Sequence, residues 1–398
     1  MPYAIILGDV HLGKGLSIGK SGVGANLNSR IVDQLTLLDW TLDEAIERHA
    51  DHIIITGDIF EEPKPHPSLI TLFIAWLKKC QVYDVNVHII MGNHDLLRSG
   101  FVYTSPLDII TEVELENVNV YKDIDTIMLG SIAVTLVPYR DRKSFSVSSN
   151  ADALNIMRDS FVYELASIPA TYRKILVGHL AIEGSIPVGD EIDDIANELF
   201  CPLSMFKGYD YVWMGHVHKP QIMKKSNPYV AHIGSMDISN FGETDHKKYI
   251  IVLDCDGSGF TTEYLPTRPL KKITVSVPKD TVETTDYVIE EIKKEKADFN
   301  RSIVRVEISL ANPELKSVNK SAIEKFLLDQ GAFNVTSILE SKKIALIKKS
   351  VTNTIDTKMD VVSAIKTYAN AYIEAPLRDN FIEVALDIVS QFKTEAKE

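Results

Sequence analysis

The sequence predicts a four-layer α/β/β/α sandwich with a small α+β domain and C-terminal helices, and three features predict it. Apolar runs alternate with helical patterns from Ala4 to Met91, a series of short strands follows from Leu129, and Pro266 and Pro269 interrupt the pattern before a second strand–helix unit.

Ala4–Leu7 reads as a buried strand. Ile31–Arg48 places Ile31, Leu35, Leu38, Leu42 and Ile46 on one face of a helix. His52–Thr56 is a second strand, Ser68–Lys79 a helix and Asn86–Met91 a third strand. This alternation builds a sheet of parallel strands. Short strands are then expected at Ile132–Val137, Ile175–Val177, Tyr211–Met214, Tyr229–Ile233, Tyr249–Leu253 and Phe260–Tyr264. They suit a second sheet packed face to face on the first, with helices outside. The first domain therefore covers residues 1–268.

Residues 269–350 form the small α+β unit: Lys272–Val277, helix Thr284–Lys296, Ile303–Ile308, helix Val318–Asp329, then strands Val335–Leu339 and Lys343–Ile347. In residues 351–398, Thr354–Tyr372 and Asp379–Phe392 are amphipathic helices broken at Pro376. Ile355, Met359, Val362 and Ile365 make one apolar stripe; Phe381, Val384, Ile388 and Phe392 make another.

Composition narrows the functional classes. No apolar run reaches the ~18 residues of a membrane span, and the start lacks the basic segment and cleavage site of a signal peptide. Cys80, Cys201 and Cys255 sit far apart in apolar surroundings and read as buried free thiols, so a cytoplasmic setting is expected. The net charge of −13 argues against a protein that grips phosphates over its whole surface. A carboxylate-rich site loaded with divalent cations would reverse the local field.

Five strands each lead into glycine and then a polar cluster. The series is Gly8-Asp9-Val10-His11, Gly57-Asp58, Gly92-Asn93-His94-Asp95, Gly178-His179 and Gly215-His216-Val217-His218. Glycine lets the chain turn at the carboxyl edge of a strand, where ligands of α/β sheets gather. A single Asp or His there is ordinarily a cap, but five in order are not explained that way. Asp9, His11, Asp58, Asn93, His179, His216 and His218 supply two carboxylates, one amide oxygen and four imidazoles. Such a set suits two divalent ions sharing one bridging carboxylate.

The series resembles that of the calcineurin-like metallophosphoesterases. The resemblance implies one metal on Asp9, His11, Asp58 and His218, and a second on Asp58, Asn93, His179 and His216, with Asp58 bridging. It implies that His94, oriented by Asp95, sits over the leaving oxygen as general acid or charge stabiliser. A two-metal hydroxide attack on the phosphodiester follows.

The branch must come from outside the ligands. Protein phosphatases continue Gly-Asp into an Asp-Arg-Gly turn, whereas this chain runs Gly57-Asp58-Ile59-Phe60-Glu61-Glu62-Pro63 and on to Pro67-Ser68. That pattern is similar to the SbcD nuclease branch, as are Asp9-Val10-His11-Leu12-Gly13, Val137-Pro138-Tyr139, His232-Ile233-Gly234-Ser235-Met236, Phe241-Gly242-Glu243 and Lys247-Lys248-Tyr249. The likeness is strong over residues 3–255. Some members carry histidine where this chain has Glu61, so no role is carried to that position.

The branch implies a manganese-dependent DNA nuclease, with Mg, Fe or Zn as other metals the ligands admit. Its activities are double-strand exonuclease and single-strand or hairpin endonuclease, in DNA end processing. It also implies a DNA-capping role for the small domain, C-terminal helices docked on an SbcC-like coiled-coil ATPase, and a homodimer through Ser68–Lys79 and Pro106–Thr111. Two alternatives stay open: a small-substrate cyclic phosphodiesterase, indifferent to deletion of residues 270–398, and a silent scaffold, which would bind no metal. Gly19-Lys20-Ser21 is not a P-loop, because Lys14 stands where that motif needs glycine. Lys14–Arg30 reads instead as a mobile loop beside the site.

Overall fold

The computed structural model describes residues 3–342, apart from 24–25, 100–101, 188–197, 258 and 313; beyond 342 it describes 362, 365, 366, 369, 378 and 380–386. In chain order the elements begin β1 (Tyr3–Leu7), α1 (Ser29–Arg48), β2 (Ala50–Ile55), α2 (Pro67–Val82), β3 (Asn86–Ile90), β4 (Leu97–Ser99), β5 (Val102–Thr104), α3 (Leu107–Glu112) and β6 (Val118–Tyr121). Next come β7 (Asp125–Leu129), β8 (Ile132–Val137), α4 (Asn150–Ser167), β9 (Arg173–Gly178), β10 (Tyr211–Met214), β11 (Gln221–Lys225), β12 (Tyr229–His232), β13 (Tyr249–Asp254) and β14 (Phe260–Tyr264). The last are β15 (Leu270–Val277), α5 (Thr284–Lys294), β16 (Ile303–Leu310), α6 (Lys320–Asp329) and β17 (Asn334–Lys342).

Two six-stranded sheets carry the fold, in the orders β14-β13-β1-β2-β3-β6 and β11-β12-β10-β9-β8-β7. Their centres are parallel, and β13, β14, β11 and β7 join antiparallel at the margins. Each central strand is apolar on both faces because both are covered. From β1, Ile5 and Leu7 pack with Leu38, Phe73 and Trp76 of the first helical layer. Ala4 and Ile6 turn the other way and meet Val134, Val177 and Trp213 of the second sheet. Leu176, Val212 and Met214 then pack on Ala153, Met157 and Phe161 of α4. These three cores make the four layers α/β/β/α.

Several elements differ from expectation. Helix α4 is an addition: its buried residues are Ala153, Met157 and Phe161, a spacing of four set among polar neighbours that dilute the apolar stripe. Its N-cap is Ser149, whose side chain accepts from Asp152 N. The hairpin β4–β5 and the strands β6, β7 and β11 are further additions, being short or alternating too weakly to stand out. Arg30 is not part of a loop: it lies in α1, fully buried, and donates to Asp33 at 2.7 Å, to Ile238 O at 2.8 Å and to Asp237.

Parallel strands β15, β16 and β17 form a third sheet with α5 and α6 over one core. The expected strand Lys343–Ile347 lies outside the described residues. So do the expected tail helices 354–372 and 379–392, except the few described positions, which are helical. Asp33 connects the large and small sheets: Arg268 clasps it at 2.6 and 2.8 Å, donates to Arg301 O at 3.0 Å and covers the ring of Phe333. Cys80, Cys201 and Cys255 are buried free thiols.

Candidate metal centre

All seven expected ligands gather at one pole, where the carboxyl ends of β1, β2, β3, β9 and β10 meet. The two sheets are laced together there. His179 Nδ1 donates to Thr56 O at 2.9 Å across the sheet interface, and Met236 N donates to Asp9 O at 2.8 Å. Glycine is required for close approach of chains as well as for turning. A Cβ on Gly92 would overlap Asp58 Oδ1, and one on Gly215 would overlap Asp9 Oδ1. Gly92→Ala is expected to cost about 1–3 kcal/mol by overpacking, measurable by urea unfolding, and to lower metal content with it.

His11, Asp58 and His216 adopt left-handed backbone, at φ 47°, 47° and 74°. Such conformations cost about 1–3 kcal/mol each and persist where neighbours over-determine them. Here His11 N donates to Asp58 O at 2.8 Å, and His216 N to Asp9 Oδ2 at 2.7 Å.

The side chains converge in two halves. In one, His11 Nε2 lies 2.9 Å from His218 Nε2 and 3.5 Å from Asp58 Oδ2. In the other, Asn93 Oδ1 lies 2.9 Å from His179 Nε2 and 3.0 Å from His216 Nδ1, while His179 Nε2 is 3.2 Å from Asp58 Oδ2. Asp58 Oδ2 thus touches both halves. Donors of one six-coordinate ion at ~2.1 Å are spaced by roughly 3 Å along an edge, so these separations fit shared cations. The groups Asp9–His11–His218 and Asp9–Asp58–His179 each bring their donor atoms within 4.8 Å of one another. His94 also falls within that reach of His11 and Asp58.

Burial makes the field strong. Burial opposes ionisation of Asp58, but the charges of His179, His94 and His11 with the His179 hydrogen bond together outweigh it and hold the carboxyl well below its usual range. Burial likewise opposes protonation of His179, and Asp58 with Asp9 overcomes it, raising that imidazole well above its usual value. His218 goes the other way: burial, then His11, Lys14 and Lys248, keep it neutral. Carboxylates and imidazoles packed this densely form a donor set that suits a divalent cation.

Asp95 requires a correction. It does not touch His94; its carboxylate accepts from Ile59 N at 3.0 Å and Gly92 N at 2.9 Å, tying the second and third ligand loops together. Burial, then the charge of Asp58, pushes that carboxyl up to about 7. His94 Nδ1 donates instead to the backbone carbonyl of Glu61 at 2.7 Å, leaving Nε2 as the ring's other nitrogen. A cavity of about 250 Å³ lined by His94, Lys14, Glu198 and Phe200 opens over the centre.

Residues beyond the expected set complete the site. Glu61, given no role on sequence grounds, contacts His11 Nδ1 at 2.8 Å and accepts from Lys14 Nζ at 2.9 and 3.0 Å. Burial resists its charge, but the His11 hydrogen bond and the His11 and Lys14 charges take it down to about 2. Glu198, which no motif marks, lies 3.2 Å from His216 Nε2.

Beneath His218, the fully buried Lys248 donates to His218 O at 2.9 Å, Ser235 Oγ at 2.8 Å and Glu243 Oε2 at 2.7 Å. Three donors with three acceptors explain a lysine in the core. Lys248→Met is expected to lose about 3–5 kcal/mol, because Glu243 is left without its counter-charge; a denaturant midpoint unchanged from the parent would refute this.

The family model for calcineurin-like phosphoesterases matches residues 4–220. The SbcD component of the nuclease SbcCD from Staphylococcus epidermidis is 26% identical over 281 residues, covering 67% of this chain and 70% of that protein. DNA double-strand break repair protein Mre11 of Saccharolobus solfataricus is 26% identical over 306 residues, 74% of this chain and 72% of its own. The SbcD component of the Escherichia coli nuclease SbcCD is 22% identical over 252 residues, 56% and 59% respectively. No described helix is long and apolar enough to cross a membrane. Because the matched span exceeds half of the chain and runs from β1 to just past His218, enclosing every converging donor, the chain belongs to the calcineurin-like phosphoesterase family.

Proposed function

We propose that the protein is a two-metal DNA nuclease, the phosphoesterase component of an SbcD-type complex that processes double-strand ends, with manganese as its working metal. The observation that carries this reading is the gathering of seven donor side chains around one pole, with Asp58 Oδ2 between His11 and His179, in a chain similar to proteins named as nuclease subunits and as a double-strand break repair protein. Asp9, His11, Asp58 and His218 would hold one cation, and Asp58, Asn93, His179 and His216 the other. When bound, the pair would supply Lewis-acid stabilisation of phosphate charge and a water of lowered pKa.

The chain's own groups do the rest. His94, its Nδ1 proton engaged by the Glu61 carbonyl, offers Nε2 to the leaving oxygen and stabilises or protonates it. Lys14, held by Glu61 at the cavity wall, offers a cation to a phosphate of the entering strand. The ordered backbone around Asp9 and Asp58 keeps the donors in place before substrate arrives.

The small domain caps DNA over this pole, the tail residues 351–398 dock on a coiled-coil ATPase, and α2 with α3 forms the homodimer contact. Exposed Val82 and Ile109 at those helices support the last point. The net charge of −13 supports a partner that supplies much of the grip on duplex. Incubation of the full chain with linear duplex and hairpin DNA is expected to give cleavage with Mn that a chelator abolishes. Hydrolysis of small diesters with no attack on either DNA would overturn the nuclease reading. Truncation after Lys349 is expected to keep metal binding and small-diester hydrolysis but abolish co-purification with the ATPase; retained assembly would overturn the tail's role.

A further inference from the structure

An imidazole binds a cation through one ring nitrogen, so its ring must be aimed as well as placed. The torsion that swings the ring, χ2, is broad and sets no plane by itself. In His179 a hydrogen bond sets it, from the outer Nδ1 to Thr56 O at 2.9 Å. Among the described residues, His216 has no such bond at its outer nitrogen. Its inward Nδ1 lies 3.0 Å from Asn93 Oδ1, and in the tautomer that carries a lone pair there neither atom can donate. Glu198 Oε1 stands 3.2 Å from the outer Nε2 yet is without a hydrogen-bond partner. Packing is left to fix the ring.

The residue that supplies this packing is Tyr139. Strand β8 ends at Val137, whose carbonyl accepts from His179 N at 2.9 Å. Pro138 follows, with φ fixed by its own ring. Tyr139 N then donates to Met91 O at 2.8 Å, directly before Gly92 and Asn93. The two backbone bonds pin Tyr139 at the seam of the sheets, between the strand ends that carry His179 and Asn93. Its ring centroid lies 5.8 Å from that of His216, tilted by 34°, and 6.2 Å from that of His179, at 77°. The two imidazoles pack on each other at 5.1 Å and 69°. All three separations fall within the ~4.5–7 Å of aromatic pairs. Tyr139 is half-buried and stands outside the lining of the cavity, so its ring meets the expected ligands and not the substrate.

We propose that Tyr139 is a positioning residue for the half of the centre that contains Asn93, His179 and His216. Its ring is an aromatic wall that holds the imidazole of His216, and with it that of His179, in the plane from which a cation is bound. The proposal rests on the two-cation reading above. The effect is one-sided, because the rings that pack on His11 in the other half are those of His94 and His218, at 4.9 and 4.6 Å. Loss of the Tyr139 ring therefore loosens one cation and spares the other. The ring carries this role and the hydroxyl does not, since the contacts run from ring to ring.

The test is Mn titration of the full chain by calorimetry, for the parent, Tyr139→Leu and Tyr139→Phe. Leucine keeps apolar bulk at a half-buried position and removes the ring; phenylalanine keeps the ring and removes the hydroxyl. In Tyr139→Leu one of two binding events is expected to weaken by about 10-fold, which at ~1.4 kcal/mol per tenfold matches one aromatic pair. The other event, and both events in Tyr139→Phe, should stay within about twofold. The loss should persist in a His11→Ala background and disappear in a His216→Ala background, which assigns the weakened event to the half beside Tyr139. Thermal melts of the metal-free proteins accompany the titrations; if the leucine variant does not melt cooperatively, Tyr139→Met, an unbranched chain of similar reach, replaces it. A parent that binds two Mn ions overturns this inference, and leaves the two-cation reading standing, if the ring-less variant binds both as tightly, if both events weaken alike, or if Tyr139→Phe weakens as far as Tyr139→Leu. A parent that binds no Mn pair overturns the reading beneath it.

Discussion

Asp58→Asn will abolish phosphodiester cleavage and reduce bound metal from two ions to at most one, with the fold intact. A single oxygen of Asp58 faces both halves of the centre: its Oδ2 lies 3.5 Å from His11 Nε2 and 3.2 Å from His179 Nε2. Its Oδ1 accepts from His94 N at 2.8 Å, so it also anchors the loop of the general-acid candidate. Asparagine keeps the shape and the Oδ1 acceptor, and turns an amide NH₂ to the place where a bridging oxygen is needed. Loss of one cation removes several kcal/mol of charge stabilisation, which is about 10³-fold or more in rate. Metal analysis and a Mn-dependent nuclease assay on the same preparation check it. Unchanged turnover, or two ions still bound, would sink the bridging assignment.

His94→Gln should separate chemistry from binding. The ring is held by Glu61 O through Nδ1 and packs edge-on to His11, with centroids 4.9 Å apart. It also lies close enough to His11 and Asp58 to be mistaken for a ligand. If it acts on the leaving oxygen, both metals and DNA affinity survive its replacement, while cleavage falls by about 10²–10⁴. A substrate with an activated leaving group such as nitrophenolate needs no proton and should lose far less. Metal content that fell in step with activity would make His94 a ligand and remove its role as acid.

How much of the fold and site is legible depends on the kind of pattern that carries it. Strands with apolar residues on both faces, such as Ala4–Leu7 and His52–Thr56, announce burial between two layers, and the structure places them so. Helix α1 is legible from its stripe, of which Ile31, Leu38 and Leu42 are buried, Leu35 is half-buried and Ile46 is exposed, whereas α4, with weaker amphipathicity, is not, although Ala153, Met157 and Phe161 carry its buried face. The short β4–β5 hairpin and the edge strands owe their form to neighbours more than to local pattern.

The sequence by itself determined the layered class, the order of the strands that end in donors, and the identity of all seven converging side chains. It could do so because a glycine and a polar residue behind a strand are local features, and their repetition is visible without knowing what they meet. Only the tertiary structure decided which atoms face one another. Asp95 beside His94 in sequence points away to Ile59 and Gly92, because the tight turn after Gly92 sends consecutive side chains in different directions. Glu61, Glu198 and the Lys248–Glu243 pair reach the centre from segments far apart in the chain. Their partners are set by packing of two sheets and the loops between them, and no spacing along one strand encodes that.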